Sequence, residues 1–179
     1  MRILHTSDWH IGRTFHGADL LDDQRASLRH LADVVAAESV DVVVVAGDVF
    51  DRSVPSADAV RVYDDGLAAI ASAGAAIVVT SGNHDSPTRL GVGSGFAAAG
   101  GLHLRTSVAS INDPIVFSDE HGDVAIYGIP YLEPEVTRTE LGVDDMPVGG
   151  VLVGAHPEHH AERTAERHVI AAVTAHPPG

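Results

Sequence analysis

Carboxylates, imidazoles and a carboxamide fall into three short clusters in this sequence. Asp8 and His10 stand in Asp8-Trp9-His10-Ile11-Gly12, Asp48 in Gly47-Asp48-Val49-Phe50-Asp51, and Asn83 and His84 in Gly82-Asn83-His84-Asp85. Taken singly, an Asp or Asn in such a place is ordinarily a turn residue or a helix cap. Taken together, oxygen and imidazole donors of this mixture suit a divalent transition ion of intermediate hardness, such as Mn²⁺ or Fe²⁺. A carboxylate between two such ions can bridge them. A pair of ions roughly 3.5–4 Å apart is a common device for phosphoester hydrolysis, because it activates water and neutralises developing charge.

What could bring the three clusters together is read from the elements before them. Arg2–Thr6 reads as a first strand, and Asp8 follows it. Residues 20–38 carry Leu20, Leu21, Leu28, Leu31, Val34 and Val35 at helical spacing among polar residues, an amphipathic helix. Asp41–Ala46 is a β-branched run of the kind buried on both faces in a parallel sheet, and it stops at Gly47-Asp48. Pro55-Ser56 starts a second helix, with Val60, Leu67 and Ile70 as its apolar stripe and Gly74 at its end. Ala75–Thr80 is a third strand, and Asn83 follows it. Shorter strands are expected at Leu102–Arg105, Ile115–Ser118 and Asp123–Tyr127, the last two as a hairpin. The alternation predicts a layered α/β fold, central sheets flanked by helices. In a parallel sheet, consecutive strand ends share one edge, which is where ligands bind.

Composition narrows the classes. The chain has 179 residues, eleven arginines, no lysine, 25 acidic residues, twelve histidines and no cysteine, for a formal net charge of −14. At 45% hydrophobic residues it has the material for a core. Zero cysteines exclude a disulfide framework, a thiolate zinc site and a cysteine nucleophile. The charge excludes the basic surface of a protein that grips nucleic acid by its exterior alone. No signal-peptide pattern opens the chain and no apolar stretch is long enough to span a membrane, so a cytoplasmic location is expected. Trp9, between two candidate ligands, is expected to pack and orient its loop. Arg52 and Arg89 could approach a phosphate, although an exposed arginine is the commoner case.

The order D-x-H, then G-D, then G-N-H-D resembles the leading half of the calcineurin-like metallophosphoesterase signature. Flanking residues sharpen this. Met1–Gly12 (MRILHTSDWHIG), Val45–Pro55 (VAGDVFDRSVP), Thr80–Arg89 (TSGNHDSPTR) and Ile126–Tyr131 (IYGIPY) resemble the SbcD-type nucleases, the nuclease components of bacterial SbcCD complexes. Those are similar in turn to the double-strand-break-repair nucleases of archaea and eukaryotes. The likeness is dense over about residues 1–134 and thin beyond. It implies two divalent metal ions, Mn²⁺ by expectation. Asp8 and His10 would bind the first ion, Asp48 would bridge both, and Asn83 would bind the second. His84 would face the scissile phosphate as the catalytic residue without being a ligand. Asp51 sits where some relatives carry a histidine and receives no role. The implied activity is hydrolysis of DNA phosphodiesters in repair and recombination. The implied partners are double-stranded DNA ends or hairpins, an SbcC-type ATPase subunit and a second copy of the nuclease. The alternatives are a metallophosphoesterase acting on a small phosphomonoester or cyclic nucleotide, or an inactive fragment of the nuclease.

The sequence departs from the family pattern after the third cluster. A Gly-His-x-His loop, which would supply a ligand to each metal, is absent from the sequence. A histidine closing a later strand has two candidates. His156 ends a strand-like run, Val151–His156, that lies too close to Ile129-Pro130-Tyr131. His176 is better spaced, but Pro177-Pro178 follow it and a helix-like segment precedes it. Neither is expected to be a ligand. Glu133–Pro147 is acidic, and Glu158–Val173 is expected to be helical. The expectation for 1–179 is therefore an N-terminal metallophosphoesterase domain, incomplete at its C-terminus, with the capping and partner-docking regions absent.

Overall fold

The computed structural model describes residues 1–133, 136–137, 139 and 168–173. The elements run β1 (Ile3–Thr6), β2 (Thr14–Phe15), β3 (Ala18–Asp19), α1 (Leu21–Glu38), β4 (Val42–Ala46), α2 (Ala57–Ser72) and β5 (Ala76–Thr80). After them come α3 (Pro87–Leu90), α4 (Ser94–Ala97), β6 (Leu102–Arg105), β7 (Ile115–Asp119), β8 (Gly122–Ile129) and β9 (His168–Val173). Strands β1, β4, β5 and β6 form a parallel sheet in that order. A second sheet holds β8 between β7, antiparallel to it, and β9, parallel to it.

The valine run explains the layering. Successive side chains of a strand point to opposite faces. Val43 and Val45 join Ile77, Val79, Leu28, Val35, Val62 and Ile70 in a core between sheet and helices. Val42 and Val44 join Val78, Ile115 and Ile126 in a second core between the two sheets. All five residues of β4 are buried, so this strand serves both cores. The fold is thus the mixed α/β arrangement expected, with a parallel central sheet flanked by helices. Ser56 caps α2 by accepting the Ala59 N–H at 3.1 Å, as the Pro-Ser start signal implies. Helices α1 and α2 approach closely at Gly66, where a Cβ would lie 2.7 Å from Leu28 Cδ1.

One expectation is overturned. Of the segment Glu158–Val173, expected as helix, residues 168–173 form strand β9, in register with β8 from Val124↔His168 to Ile129↔Val173. The stretch His-Val-Ile-Ala-Ala-Val has three β-branched residues and no polar face to make a helix amphipathic. An open edge of β8 can pair such a run, and tertiary pairing overrides the helical preference of its alanines. The rest of that segment, and His156 and His176, lie outside the described residues.

Strand β8 reaches the edge of the first sheet where β5 ends. The Tyr131 N–H donates to the Ser81 carbonyl at 2.7 Å. Gly128 allows the approach, since a Cβ there would sit 2.5 Å from Arg105 Cβ and 3.2 Å from Thr80 Cγ2. Ile126–Tyr131 thereby seats the second sheet beside the loop that carries Asn83 and His84.

Candidate metal centre

The loops after β1 and β4 continue the sheet beyond its strands. His10 N–H donates to Asp48 O at 2.9 Å, Ile11 N–H to Val49 O at 2.9 Å, and Asp51 N–H to Ile11 O at 3.2 Å. Within them, three non-glycine residues adopt left-handed backbone: Asp8 at φ 56°, His10 at φ 42° and Asp48 at φ 47°. Only His16 and Ser39 share that conformation among the described non-glycine residues. An L-residue held there costs on the order of 1 kcal/mol or more, and such strain gathers where a side chain must be aimed. The strained residues are the ones whose carboxylates and imidazole turn toward one another.

The resulting geometry brings His10, Asp48 and His84 into one cluster, with one donor atom from each within 4.8 Å of the others. His10 Nε2 lies 3.8 Å from Asp48 Oδ2 and 3.9 Å from Asp8 Oδ1. Asp48 is buried, whereas the Asp8 side chain is 64% exposed and stands at the mouth. Asp48 also spans two loops through its other oxygen, since the His84 N–H donates to Asp48 Oδ1 at 3.0 Å. The loops after β4 and β5 touch so closely at this point that a Cβ on Gly82 would lie 2.0 Å from Asp48 Oδ1 and 2.2 Å from Asp48 N. Glycine is required there. Asn83 shares the loop with His84 and lines a cavity of about 600 Å³ together with Thr88, Thr106, Ser107 and Tyr131.

His84 is held by its other ring nitrogen. Its Nδ1 lies 2.9 Å from the Asp51 carbonyl oxygen. A carbonyl can only accept, so Nδ1 carries the proton and Nε2 is the nitrogen left for a substrate. The His10 and His84 rings meet edge to face, centroids 4.7 Å apart and 86° between planes.

Two supporting residues carry no signal as ligands in the sequence. Gln24, on α1, accepts the Gly12 N–H at 2.9 Å and donates through Nε2 to His10 O at 2.7 Å, fixing the first loop. Asp85 is buried and accepts three backbone N–H groups: Val49 at 3.0 Å, Phe50 at 2.9 Å and Gly82 at 2.8 Å. It therefore staples the Asp48 loop to the Asn83 loop. Burial pushes its carboxyl pKa up, the three N–H bonds pull it down, and the Asp48 charge adds to the rise; burial prevails. Gln24 was hidden because its partners are all main-chain atoms of a distant loop. Asp85, visible in Gly82-Asn83-His84-Asp85, is, with Asp51, an acid of the clusters with no expected ligand role. Trp9 packs on the core as expected and donates Nε1–H to Thr6 Oγ1 at 3.0 Å.

A parallel sheet whose strand ends gather carboxylates and imidazoles into a strained, stapled cluster forms a candidate metal centre. The donor chemistry fits a divalent ion: a carboxylate oxygen and two imidazole nitrogens converge. The chain matches the calcineurin-like phosphoesterase family over residues 1–162 and belongs to that family. Its members are hydrolases that use divalent metals. None of the described helices is long and apolar enough to cross a membrane.

Proposed function

We propose that this chain is the metal-holding domain of an SbcD-type nuclease, hydrolysing DNA phosphodiesters with two Mn²⁺ ions. The partners in this reading are double-stranded DNA ends or hairpins, an SbcC-type ATPase and a second nuclease subunit. The observation that carries the phosphodiester chemistry is the division of labour between two imidazoles. His10 turns Nε2 toward Asp8 and Asp48, while His84 is anchored through Nδ1 and keeps Nε2 free. Support for DNA over smaller esters comes from the flanking stretches Val45–Pro55 and Ile126–Tyr131, which resemble the nuclease rather than the wider family.

In this reading Asp8 and His10 would hold one ion, Asn83 would hold the other, and Asp48 would contribute to both. Bound divalent ions supply an activated water and positive charge against the phosphate oxygens. His84 then offers a proton or a hydrogen bond from Nε2 to the phosphate or the departing oxygen, with its ring orientation set by Asp51. Asp48 keeps its bridging position through the His84 N–H, and Asp85 and Gln24 keep the loops in place.

The test is Mn²⁺ calorimetry together with a substrate comparison. An end-labelled duplex and a chromogenic phosphodiester are offered to the chain within its complete subunit. Cleavage of the duplex, lost in both Asp48→Ala and His84→Ala but with Mn²⁺ binding lost only in Asp48→Ala, supports the proposal. Turnover of the small ester alone assigns the chain to another branch of the family. Calorimetry on residues 1–179 alone that finds no tight Mn²⁺ site identifies an inactive fragment.

A further inference from the structure

We propose that Asp51, to which no role attaches in the metal-site reading, is a positioning residue that sets both imidazoles at once. This rests on the metal-centre reading above and adds a residue to it. His10 Nδ1 is buried and has no hydrogen-bond partner within 3.5 Å. Asp51 Oδ1 lies 3.6 Å from it, on the side of the ring opposite Asp8 and Asp48. A neutral imidazole has one N–H to place. Directing it from Nδ1 to the Asp51 carboxylate leaves the Nε2 lone pair for a cation, the arrangement that orients metal-binding histidines in general. Contacts of this kind are often long without the ligand and tighten when it binds.

The main chain of the same residue governs the second ring. The Asp51 carbonyl accepts from His84 Nδ1 at 2.9 Å. The Asp51 N–H in turn donates to Ile11 O at 3.2 Å, and Ile11 pairs with Phe50 as a parallel bridge between the loops. Side chain and carbonyl of Asp51 are thus placed by the loop-to-loop ladder that also places His10 and Asp48. Arg13 Nε and Arg52 Nε each lie 4.0 Å from its carboxylate, so its charge is met from the solvent side while it faces His10. A residue with its carboxylate 3.6 Å from the ligand imidazole and its carbonyl bonded to the substrate-facing imidazole is placed to keep the two rings in fixed relation.

Side chain and main chain can be separated by substitution. Asp51→Ala removes the carboxylate and leaves the carbonyl; Asp51→Asn keeps an acceptor oxygen. Two readouts are taken: Mn²⁺ affinity by calorimetry, and the tautomer of His10 by ¹⁵N NMR on the metal-free protein. The expected result is a roughly 10–100-fold weaker Mn²⁺ site in Asp51→Ala, the range for lost partners of a ligand histidine. Asp51→Asn should stay much closer to the parent protein. The Nδ1–H tautomer of His10 should dominate in the parent and in Asp51→Asn and give way to Nε2–H in Asp51→Ala, with the His84 signals unmoved. Parent-like affinity and an unmoved His10 tautomer in Asp51→Ala overturn the proposal. If Asp51→Ala does not fold, loss of the Nδ1–H tautomer in Asp51→Asn does so instead. A parent protein that binds no Mn²⁺ refutes the metal reading, yet the tautomer still decides whether Asp51 orients His10.

Discussion

Asp85 offers the sharpest quantitative test of how the site is held, because it touches no substrate and is a ligand in no reading. Its Oδ2 accepts from Val49 and Gly82 and its Oδ1 from Phe50. Hydrogen bonds to an ionised group are worth about 1.5–3 kcal/mol each net, and a stranded buried N–H costs about 1–3 kcal/mol. Summing three such losses overshoots, because Asp85→Ala also relieves the burial that raises the carboxyl pKa. A net loss of about 3–5 kcal/mol remains for Asp85→Ala. Asp85→Asn can place its single oxygen against Val49 and Gly82, but its amide then faces the Phe50 N–H, so it should lose about 1.5–3 kcal/mol. Urea unfolding without metal reads both values, and Mn²⁺ calorimetry reads the site. The sign with pH follows from the raised folded-state pKa. The contribution of Asp85 is greatest below its unfolded pKa of 3.8 and falls as pH climbs through the folded value, a slope that Asp85→Asn lacks. Asp85→Ala within about 0.5 kcal/mol of the parent would refute the staple. Lost stability with unchanged Mn²⁺ affinity would show that it holds the fold and not the site.

Two further outcomes use different physics. Gly82→Ala forces a Cβ within 2.0 Å of Asp48 Oδ1 and against the Asp48 main chain, which cannot swing aside. It should cost about 3 kcal/mol of unfolding free energy and at least about tenfold in Mn²⁺ affinity, whereas Gly95→Ala, with nothing within 4 Å of its Cβ, should leave both unchanged. His103 packs edge-on to Phe117 at 5.7 Å between centroids, and burial, helped by Arg105, lowers its pKa. The unfolded chain therefore takes up this proton first, and stability should drop as pH falls below 6.5 toward the lowered folded value. The urea midpoint of His103→Gln should fall less over that interval; parallel curves would contradict the assignment.

The parts of the fold that could be read in advance are those where local chemistry and tertiary packing agree. The run at Val42–Ala46 is buried on both faces because two cores need it, and a β-branched run has no other comfortable place. Ser56 caps its helix because Pro55-Ser56 can do little else. The end of the chain went the other way. His168–Val173 has alanines enough for a helix and branching enough for a strand, and the deciding partner, the open edge of β8, is far away along the chain. In the site, residue types and spacing foretold that the three loops would meet. They could not foretell how: the left-handed backbone at Asp8, His10 and Asp48 lies in loops tied by Gln24 and Asp85 bonds that cross between distant segments. Asp51 was legible as an acid near the site, but its value lies in a main-chain oxygen, which no side-chain pattern records.

These supports also bear on how so acidic a chain can meet a phosphate. Asp8, Asp48, Asp51 and Asp85 stand within or against one cluster, and of the nearby cations Arg13 and Arg52 are exposed and approach only Asp51. Burial raises the Asp85 pKa, and the Asp48 charge adds a smaller push in the same direction. Two divalent ions would carry four positive charges into that small volume, where local field matters more than net charge. A net charge of −14 is spread over the whole surface and screened within about 8–10 Å at ordinary salt. The approach of DNA to the general surface of this domain is therefore unfavourable, while the approach of one phosphate to a loaded centre is favourable. The specificity that follows is for a phosphate delivered by something else. That is the arrangement an ATPase partner would complete if the proposed nuclease reading holds.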